Sequence, residues 1–427
     1  MNTRRVVISG LGFIASNGND AVEVTRSLRT LRHGITPHEF LPGQELPVKV
    51  AGTIKGFDTR STHHAEWHWP ERYIFTRDVL RSLPPHGLHA FCAVEQLIAD
   101  ARLTPELLAD GETGLFTASA GSPFLQRHYL NQLHNSDGAR MHPMGVVSSI
   151  PGTLNFNLAP HYRIQGSVCG FVSACASTAH ALGYATDDIR RGRQQRILIV
   201  GAEDLTLDST YPFHAMRALS RNPDPATASR PFDRDRDGFV GTGGAAALLL
   251  EDAVSAQTRG APIYGELIGW GQASDGYNMA IAEPEGRGLA AAMRRALADA
   301  GIAPGDVSYI NAHGTSTPNG DLSELRAIKS VFASAGASPA ISSTKALTGH
   351  ALSMASALET GFCALALRHG FTPGQAHLVN PDPACEGLHI PRHTLPEAPE
   401  IIMKNSSGFG GSNVVLVLRR WSATPAN

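Results

Sequence analysis

Short runs of β-branched and aliphatic residues recur along this chain, and each is followed by a glycine-rich turn and then by a helical pattern. Strands that alternate with helices in this way are typical of α/β proteins. The alternation therefore predicts an α/β fold. The strand-like runs are RVVISGLG at 5–12, RILIVGAEDL at 196–205, AAALLLED at 245–252 and VSYINAHGT at 307–315.

The order of these patterns also suggests an internal duplication. RVVISGLGFI near the start and PIYGELIGWG at 262–271 each open a region that contains an alanine-rich amphipathic helix, at 89–103 and at 288–302 respectively. We therefore predict two similar units, residues 1–255 and 256–427, with the joint near residue 255.

Composition excludes several classes of protein. The chain has 427 residues, of which 42% are hydrophobic and 17% charged, as is usual for a globular domain. A net charge of −2 gives no reason to expect a nucleic acid or a charged membrane surface as a partner. No apolar run reaches the roughly 18–20 residues that cross a bilayer, and the N-terminus lacks the apolar core of a signal peptide. We therefore expect a cytoplasmic protein.

The cysteines and histidines give no support for a metal or a disulfide framework. Five cysteines are scattered, and none forms a CxxC pair. The segment 54–74, IKGFDTRSTHHAEWHWPERYI, lacks periodicity and is predicted to be a loop or insertion. His64 and His68 are four residues apart, a spacing that could suit a metal, but we expect a surface loop with no ligand role.

The stretch GFVSACASTAHALG at 170–183 places Cys175 among small residues, directly before a helical pattern. Most free cysteines are small buried hydrophobic residues. A thiol at a helix N-terminus, however, meets the positive end of the helix dipole, which lowers its pKa, and backbone N–H groups there can stabilise an oxyanion. The residues of this stretch leave both interpretations open.

Three further glycine-flanked turns follow predicted strands. NAHGTSTPNGD at 311–321 contains His313, SSTKALTGH at 342–350 contains Lys345 and His350, and NSSGFGGSN at 405–413 contains Phe409. Each has an ordinary interpretation as a structural histidine, a solvated lysine or a simple turn. Together they place one cysteine, two histidines and one lysine at strand ends beside glycine.

In this order, SACAS, the segment 214–240, NAHGTSTPNGD, STKALTGH and GFGG resemble the motifs of the thiolase superfamily, and within it those of the elongating β-ketoacyl-acyl-carrier-protein synthases. The resemblance covers nearly the whole chain. It implies a thiolase fold, in which two similar α/β halves form a five-layer αβαβα core. It also implies a dimer in which the strand near the nucleophile pairs across a two-fold axis.

The resemblance assigns roles to the reacting groups. Cys175 would take an acyl chain from a carrier-protein thioester. His313 and His350 would bind the thioester oxygen of a malonyl group and stabilise the enolate that forms when carbon dioxide leaves. Lys345 would organise the site electrostatically, with Glu324 as its partner.

Supporting roles follow from the same resemblance. The backbone N–H groups of Cys175 and Phe409 would form the oxyanion hole, and the Phe409 ring would gate acyl entry. The hydroxyls of Thr315 and Thr317 would contact the phosphopantetheine arm. Asp275 and Asp321 match structural acidic positions.

The sequence departs from the family pattern near the site. Ser353, Met354 and Ser356 stand where very small residues are usual, and Ser407 replaces a phenylalanine before the GFGG turn. Lys404 lies near a position where some relatives hold a monovalent cation with residues matching Glu359 and Asn405. Our hypothesis is that the Lys404 ammonium replaces that cation.

We therefore expect a decarboxylative Claisen condensation that yields a 3-oxoacyl-acyl-carrier protein, in a type II polyketide, polyene or related secondary pathway. Fatty-acid elongation is the alternative. A non-decarboxylating thiolase is disfavoured because the GFGG turn lacks a cysteine, and a catalytically inactive partner subunit is disfavoured because Cys175 is present. We expect no cofactor beyond the phosphopantetheine of an acyl carrier protein, and a dimer with a second copy or with a cysteine-less chain-length partner.

Overall fold

The computed structural model describes residues 4–423, and strands form at each of the apolar runs singled out in the sequence. The strands are β1 (Val6–Ile14), β2 (Ile35–Pro37), β3 (Val50–Gly52), β4 (Thr113–Ala118), β5 (Val168–Gly170), β6 (Arg196–Glu203), β7 (Gly244–Asp252), β8 (Gly265–Ser274), β9 (Tyr309–Asn311), β10 (Ala340–Ser342), β11 (Ile401–Gly408) and β12 (Ser412–Arg419).

The helices begin and end at residues suited to those places. The Asp20 side chain accepts a hydrogen bond from the N–H of Glu23 at the start of the first helix, and Gly301 (φ 66°) ends the helix predicted at 288–302. The helices are α1 (Ala21–Thr30), α2 (Arg77–Leu80), α3 (Pro85–Ala101), α4 (Pro105–Leu108), α5 (Pro123–Asn135), α6 (Gly145–Ser149), α7 (Thr153–His161), α8 (Ser177–Arg190), α9 (Leu207–Thr210), α10 (Pro212–Ala215), α11 (Ala253–Thr258), α12 (Arg287–Ala300), α13 (Pro318–Val331), α14 (Lys345–Thr348) and α15 (Ala355–His369).

Ten strands are hydrogen-bonded in the order β5-β4-β6-β7-β1-β8-β12-β11-β9-β10. The first five and the last five have the same order read outward from β1 and β8, and β7 and β12 are the antiparallel members. The two sets meet only through a short antiparallel contact of Val7 with Glu266 and of Ile8 with Gly265. The domain boundary at residue 255 falls within α11 and stays a prediction.

Five layers follow from the way the helices cover these strands. α8 and α15 each contact strands of both sets and form the middle layer. α15 is buried nearly all round, as expected of a helix enclosed between two sheets. α3 packs on the outer face of the first set, and α12, backed by α13, packs on the outer face of the second.

This arrangement brings the motif residues to one place. Cys175 follows β5, His313 follows β9, Lys345 follows β10 and Phe409 follows β11. Ligands of α/β proteins bind outside the carboxyl ends of parallel strands, which meet at one edge of a sheet. β9 ends at Asn311, and in the turn that follows it the backbone N–H groups of His313 and Gly314 bond to the carboxylate of Glu324 instead of to a neighbouring strand.

Candidate active site

Cys175 lies in a tight turn two residues before α8. The preceding Ala174 has φ 49°, a conformation that non-glycine residues rarely adopt and that is often found at functional sites. The Cys175 Sγ lies 3.0 Å from Nε2 of His350. Burial raises the pKa of the Cys175 thiol to about 12, although Lys345 acts to lower it. Burial therefore acts against the lowering of this pKa that a helix N-terminus predicts, and His350 is the group placed to take the thiol proton.

His313 and His350 face each other beside the thiol. Their ring centroids are 5.3 Å apart at an interplanar angle of 87°. Burial, followed by the charge of Lys345, holds the pKa of both imidazoles well below the ordinary histidine value. Both rings are therefore neutral at pH 7 and can donate one N–H each.

The partner of Lys345 differs from the prediction. Its ammonium donates to Oε1 of Glu359 and lies 3.4 Å from Nδ1 of His313. Glu324 is not its partner, so that prediction is wrong: Glu359 comes from α15 in the middle layer, which packs directly against the site. An ammonium can only donate, so Nδ1 of His313 accepts, and the imidazole proton resides on Nε2.

Glu324 fixes the backbone around His313 instead. Its Oε1 accepts from the N–H of His313 at 2.8 Å, and its Oε2 accepts from the N–H of Gly314 at 2.7 Å. Oε1 also accepts from Nδ2 of Asn405 at 2.9 Å. The carboxylate therefore holds the turn that presents the imidazole, and it links that turn to β11.

Lys404 is fully buried, and its ammonium is surrounded by oxygen atoms. Nζ lies 2.8 Å from Oε2 of Glu359 and donates to the carbonyl of Asn405 at 2.9 Å and to the hydroxyl of Ser406 at 2.6 Å. Nζ of Lys404 also donates to the hydroxyl of Ser356 at 3.3 Å. Glu359 thus balances two lysines, and burial lowers the pKa of Lys404.

The GFGG turn packs against the backbone of the cysteine turn. A Cβ atom on Gly408 would lie 2.7 Å from the carbonyl oxygen of Ser173 and 3.1 Å from the backbone nitrogen of Cys175. This close approach is the reason for glycine at that position. The Phe409 side chain is 38% exposed, and its ring centroid lies 5.9 Å from that of Phe213. The gating role of the Phe409 ring stays a prediction.

Asp275 and Asp321 support turns of the site. Asp275 accepts from Nδ2 of Asn413 at 2.7 Å, and its backbone N–H bonds to the carbonyl of Gly411 in the GFGG turn. Asp321 accepts from the backbone N–H of Ser316 at 3.1 Å. Burial raises the pKa of Asp321 to about 7.

A cavity of about 600 Å³ connects these groups with the surface. It is lined by Cys175, by both histidines and by Phe409, together with Thr315 and Thr317, whose hydroxyls are 2.9 Å apart. The lining is mainly apolar, with its polar groups concentrated around the thiol.

The chain matches the family models described as the N-terminal domain of β-ketoacyl synthase, over residues 3–256, and its C-terminal domain, over residues 264–379. It is 37% identical over 422 residues to the 3-oxoacyl-[acyl-carrier-protein] synthase 1 of Escherichia coli, covering 98% of this chain and 99% of the relative. The chain belongs to the β-ketoacyl synthase family. It is therefore an acyl-transferring condensing enzyme.

Solved structures agree with this assignment. The ishigamide ketosynthase/chain length factor superposes with a TM-score of 0.87 at 29% identity, covering 98% of this chain and all of that chain. A type II polyketide synthase acyl-carrier protein in complex with its ketosynthase bound to the hexaketide gives a TM-score of 0.86 at 28% identity, again over 98% of this chain and all of that chain. The predicted thiolase fold of the synthase is confirmed.

Other features of the condensing enzyme lie outside the cavity. His180 bonds to the hydroxyl of Ser173 at 2.7 Å and to Gln272 at 2.9 Å, as expected of a structural histidine. The segment 54–74 is mostly irregular, with its Trp67 buried and the Trp67 indole N–H donating to the carbonyl of Ser61. Among residues 4–423, no three or more His, Cys, Asp or Glu side chains are placed to hold one metal ion.

Sequence reasoning missed two residues near the site, Ser406 and Glu203. Ser406 was not singled out, yet its hydroxyl contacts the Lys404 ammonium. Glu203, at the end of β6, acts to raise the pKa of Cys175, and nothing in its RILIVGAEDL run indicated this.

Within the described part of the synthase, no helix is both long and apolar enough to traverse a lipid bilayer.

Proposed function

We propose that this enzyme condenses an acyl chain held on Cys175 with a malonyl group on an acyl carrier protein, releasing carbon dioxide and giving a 3-oxoacyl-acyl-carrier protein. The observation that carries the proposal is the meeting of one thiol and two neutral imidazoles in a single cavity. The family and the Escherichia coli relative support the same chemistry.

In the first half-reaction, Nε2 of His350 takes the thiol proton and Sγ attacks the acyl thioester. The backbone N–H groups of Cys175 and Phe409 stabilise the tetrahedral oxyanion. The carrier thiolate then leaves and takes a proton from the His350 imidazolium, which becomes neutral again. The approach of Gly408 to the Cys175 backbone supports this pairing of the two N–H groups.

In the second half-reaction, His350 carries its single proton on Nε2, and the Nε2–H groups of His313 and His350 donate to the thioester oxygen of the malonyl group. Carbon dioxide leaves, and the electron pair of the broken C–C bond forms an enolate stabilised by these donors. The enolate carbon attacks the acyl carbonyl, the Cys175 thiolate departs, and a proton restores the thiol. Lys345 keeps His313 in the tautomer that this step requires.

We place the enzyme in a type II polyketide, polyene or related secondary pathway. Similarity to the ishigamide and hexaketide ketosynthases supports this assignment. The departures Ser353, Ser356, Lys404 and Ser407 lie around the cysteine and differ from the small or aromatic residues usual in the family. Fatty-acid elongation is the second candidate, favoured by the 37% identity to the Escherichia coli 3-oxoacyl-[acyl-carrier-protein] synthase 1.

The partners we propose are an acyl carrier protein and a second subunit. The carrier brings substrates on phosphopantetheine, whose arm contacts Thr315 and Thr317, and the enzyme has no cofactor of its own. The second subunit is another copy or a cysteine-less chain-length partner. The sheet edge at β5 supports a dimer, because Val168 is 43% exposed and nearby Val172 is 77% exposed.

We also propose that the Lys404 ammonium takes the place of a monovalent cation. Its surroundings support this, because four oxygen atoms of Glu359, Asn405, Ser406 and Ser356 lie within 3.3 Å of Nζ. Oxygen atoms are also the ligands of hard monovalent cations.

The deciding experiment is peptide mass spectrometry of Cys175 after exposure to carrier proteins bearing acyl chains of different length and unsaturation. Preferential loading of polyene or polyketide chains supports the secondary pathway. Preferential loading of saturated chains supports fatty-acid elongation. Loading of Cys175 that does not lead to condensation with malonyl-carrier protein contradicts the proposed reaction itself.

A further inference from the structure

One buried carboxyl group beside the site has no part in the proposed reaction. Glu203 is the last residue of β6, and its side chain is 1% exposed. Its Oε1 accepts hydrogen bonds from the backbone N–H groups of Ala120 at 3.2 Å and Ser353 at 3.3 Å, and from the hydroxyl of Ser353. Burial raises the pKa of Glu203 to about 7, so its charge changes near neutral pH.

Ser353 connects this carboxyl group with the segments that carry the two reacting side chains. It lies three residues after His350, in the 3₁₀ turn Leu352–Met354. Its carbonyl accepts a hydrogen bond from the hydroxyl of Thr178 at 2.8 Å. Thr178 belongs to the first turn of α8, three residues after Cys175. The contacts therefore join the end of β6, the turn that follows His350 and the helix that follows Cys175.

Other charged groups face Glu203. From α3, Nδ1 of His86 lies 2.9 Å from Oδ1 of Asp204, and Nε2 of His86 lies 2.9 Å from the hydroxyl of Ser119. Burial acts to lower the pKa of His86, but the neighbouring carboxylates raise it overall. His86 in turn lowers the pKa of Glu203, and Asp204 raises it.

On the side of the nucleophile, three charges act on Cys175 in addition to burial. Lys345 lowers the pKa of the thiol, whereas Glu203 and Glu359 raise it. Lys345 and Glu359 form an ion pair with each other, so their effects partly cancel. Glu203 has no lysine or arginine partner among the ion pairs of residues 4–423, and its charge is therefore the variable one.

We propose that Glu203 and Ser353 are positioning residues that hold His350 against Cys175 and control how readily Cys175 gives up its proton. This inference rests on the proposed nucleophilic role of Cys175. Ser353 stands where the family pattern has a very small residue, so its hydroxyl gives this chain a contact with Glu203 that such a residue could not make.

The sign of the effect follows from the charges. Above its own pKa, Glu203 is negative and opposes formation of the nearby thiolate. Glu203→Gln keeps a carbonyl oxygen as acceptor for Ser353 and removes the charge. The pH at which Cys175 becomes reactive should then move down by about one unit. Ser353→Ala removes the hydroxyl, loosens the turn and should slow acyl loading about tenfold with KM unchanged, and Ser353→Thr should restore it.

The test measures two rates by peptide mass spectrometry, with Cys169 counted separately: alkylation of Cys175 by iodoacetamide between pH 6 and 10, and acyl loading of Cys175 from an acyl carrier protein. Because this pH range lies below the raised pKa of the thiol, a downward shift of about one unit appears as alkylation about tenfold faster at the same pH. Two matched controls come from another buried pair, in which the Ser9 hydroxyl donates to Oε2 of Glu251 at 2.7 Å. Ser9→Ala removes an equivalent hydroxyl outside the site, and Glu251→Gln removes a buried charge there, which in this case is paired with Arg259. Thermal melting reports whether each variant is folded.

A downward shift in Glu203→Gln, with slow loading in Ser353→Ala and neither effect in the controls, supports the proposal. Unchanged profiles in both variants, or equal changes in the controls, overturn it. Because alkylation needs no condensation, the result stands apart from the proposed function, which fails separately if Cys175→Ala still condenses substrates.

Discussion

The two five-stranded halves of the molecule have the same strand order, yet equivalent strand ends carry different chemistry. β5 and β10 occupy matching places, and they are followed by Cys175 and Lys345 respectively. β4 and β9 also match, and they are followed by Ser119 and His313. In the first half the thiol is accompanied by the buried carboxyl group of Glu203. In the second half the imidazoles are accompanied by buried ammonium groups.

The difference shows how a repeated scaffold divides one reaction. In the proposed reaction, the first half supplies the group that holds the acyl chain, and the second supplies the donors that stabilise the enolate. The 3.0 Å contact of Cys175 with His350 is where the two sets of groups meet. If this division is correct, loss of a group from one half should affect one half-reaction more than the other.

The largest difference between the effects on the two half-reactions is expected for Cys175→Ala. Condensation should fall at least about 10³-fold, because no thiol remains to hold the acyl chain. Decarboxylation of malonyl-carrier protein should persist, because both imidazoles remain. Carbon dioxide release and product mass spectrometry measure the two steps. Cys169→Ala, at an exposed cysteine on β5, is the control and should retain both. Loss of decarboxylation in a folded Cys175→Ala variant would contradict the division.

Replacing the histidines should show the reverse pattern. His313→Ala should lower decarboxylation about 10²–10³-fold, the usual loss for one oxyanion donor, while Cys175 still accepts an acyl chain. His350→Ala should lose both, because Nε2 of His350 also contacts Sγ. Single-turnover loading and carbon dioxide release measure these steps. His180→Ala is the control, and equal loading in the two active-site variants would count against the role of His350 in the first step.

An intermediate effect is expected at Lys404, which lies among the charges of the second half. Lys404→Ala leaves the oxygen atoms of Glu359 and Asn405 without their cation. Decarboxylation should fall about tenfold in tetramethylammonium buffer and recover with potassium, whereas the wild type should not respond. Lys55→Ala, at an exposed lysine, is the control. The replacement hypothesis fails if potassium leaves the folded variant unchanged or if the wild type itself requires potassium.

A smaller effect is expected at Thr317, whose hydroxyl is proposed to contact the phosphopantetheine arm. Thr317→Val keeps the shape of the side chain and removes the hydroxyl that bonds to Thr315. KM for malonyl-carrier protein should rise about fivefold with kcat nearly unchanged, the consequence of one lost neutral hydrogen bond. Steady-state kinetics measures this, with Thr258→Val on α11 as the control. A fall in kcat with constant KM would assign Thr317 to the chemistry instead.

The smallest effect is expected from pH in the wild type. The pKa values of His313 and His350 lie well below the ordinary value, so both imidazoles stay neutral until the pH falls through those lowered pKa values. Decarboxylation should therefore remain level from pH 8 to pH 6, whereas ordinary histidines would be half protonated near about pH 6.5. The rate of carbon dioxide release across this range checks it, and a midpoint near pH 6.5 would show that the rings are not held neutral.

The sequence predicted the fold class and the residues that gather at the strand ends, because strand, turn and helix patterns are local. The run RILIVGAEDL became β6, and the helix predicted at 288–302 became α12. The motif order identified the family, and Cys175, His313, His350 and Phe409, which line the cavity, were named in advance. The turn predicted at 311–321 follows β9, and only the structure shows that Glu324 binds the backbone N–H groups of His313 and Gly314 in that turn.

Sequence spacing did not reveal which charges pair. Glu324 and Glu359 lie in different helices, both within reach of Lys345 along the chain, and only the packing of α15 between the two halves brings Glu359 to the ammonium. The pKa of Cys175 depends on packing in a similar way. A helix N-terminus is a local feature, whereas the burial that raises the pKa of the thiol comes from residues distant in sequence.

By itself, then, the sequence determined the α/β architecture, the family and the identities of the thiol, imidazole and ammonium groups, since these depend on local patterns and motif order. The tertiary structure alone decided that Lys345 and Lys404 share Glu359, that Glu324 holds a backbone turn, and that Ser353 joins Glu203 to the reacting pair. Hydrogen bonds and charge effects act over a few ångströms of space, and that proximity arises only when the two halves close around α8 and α15.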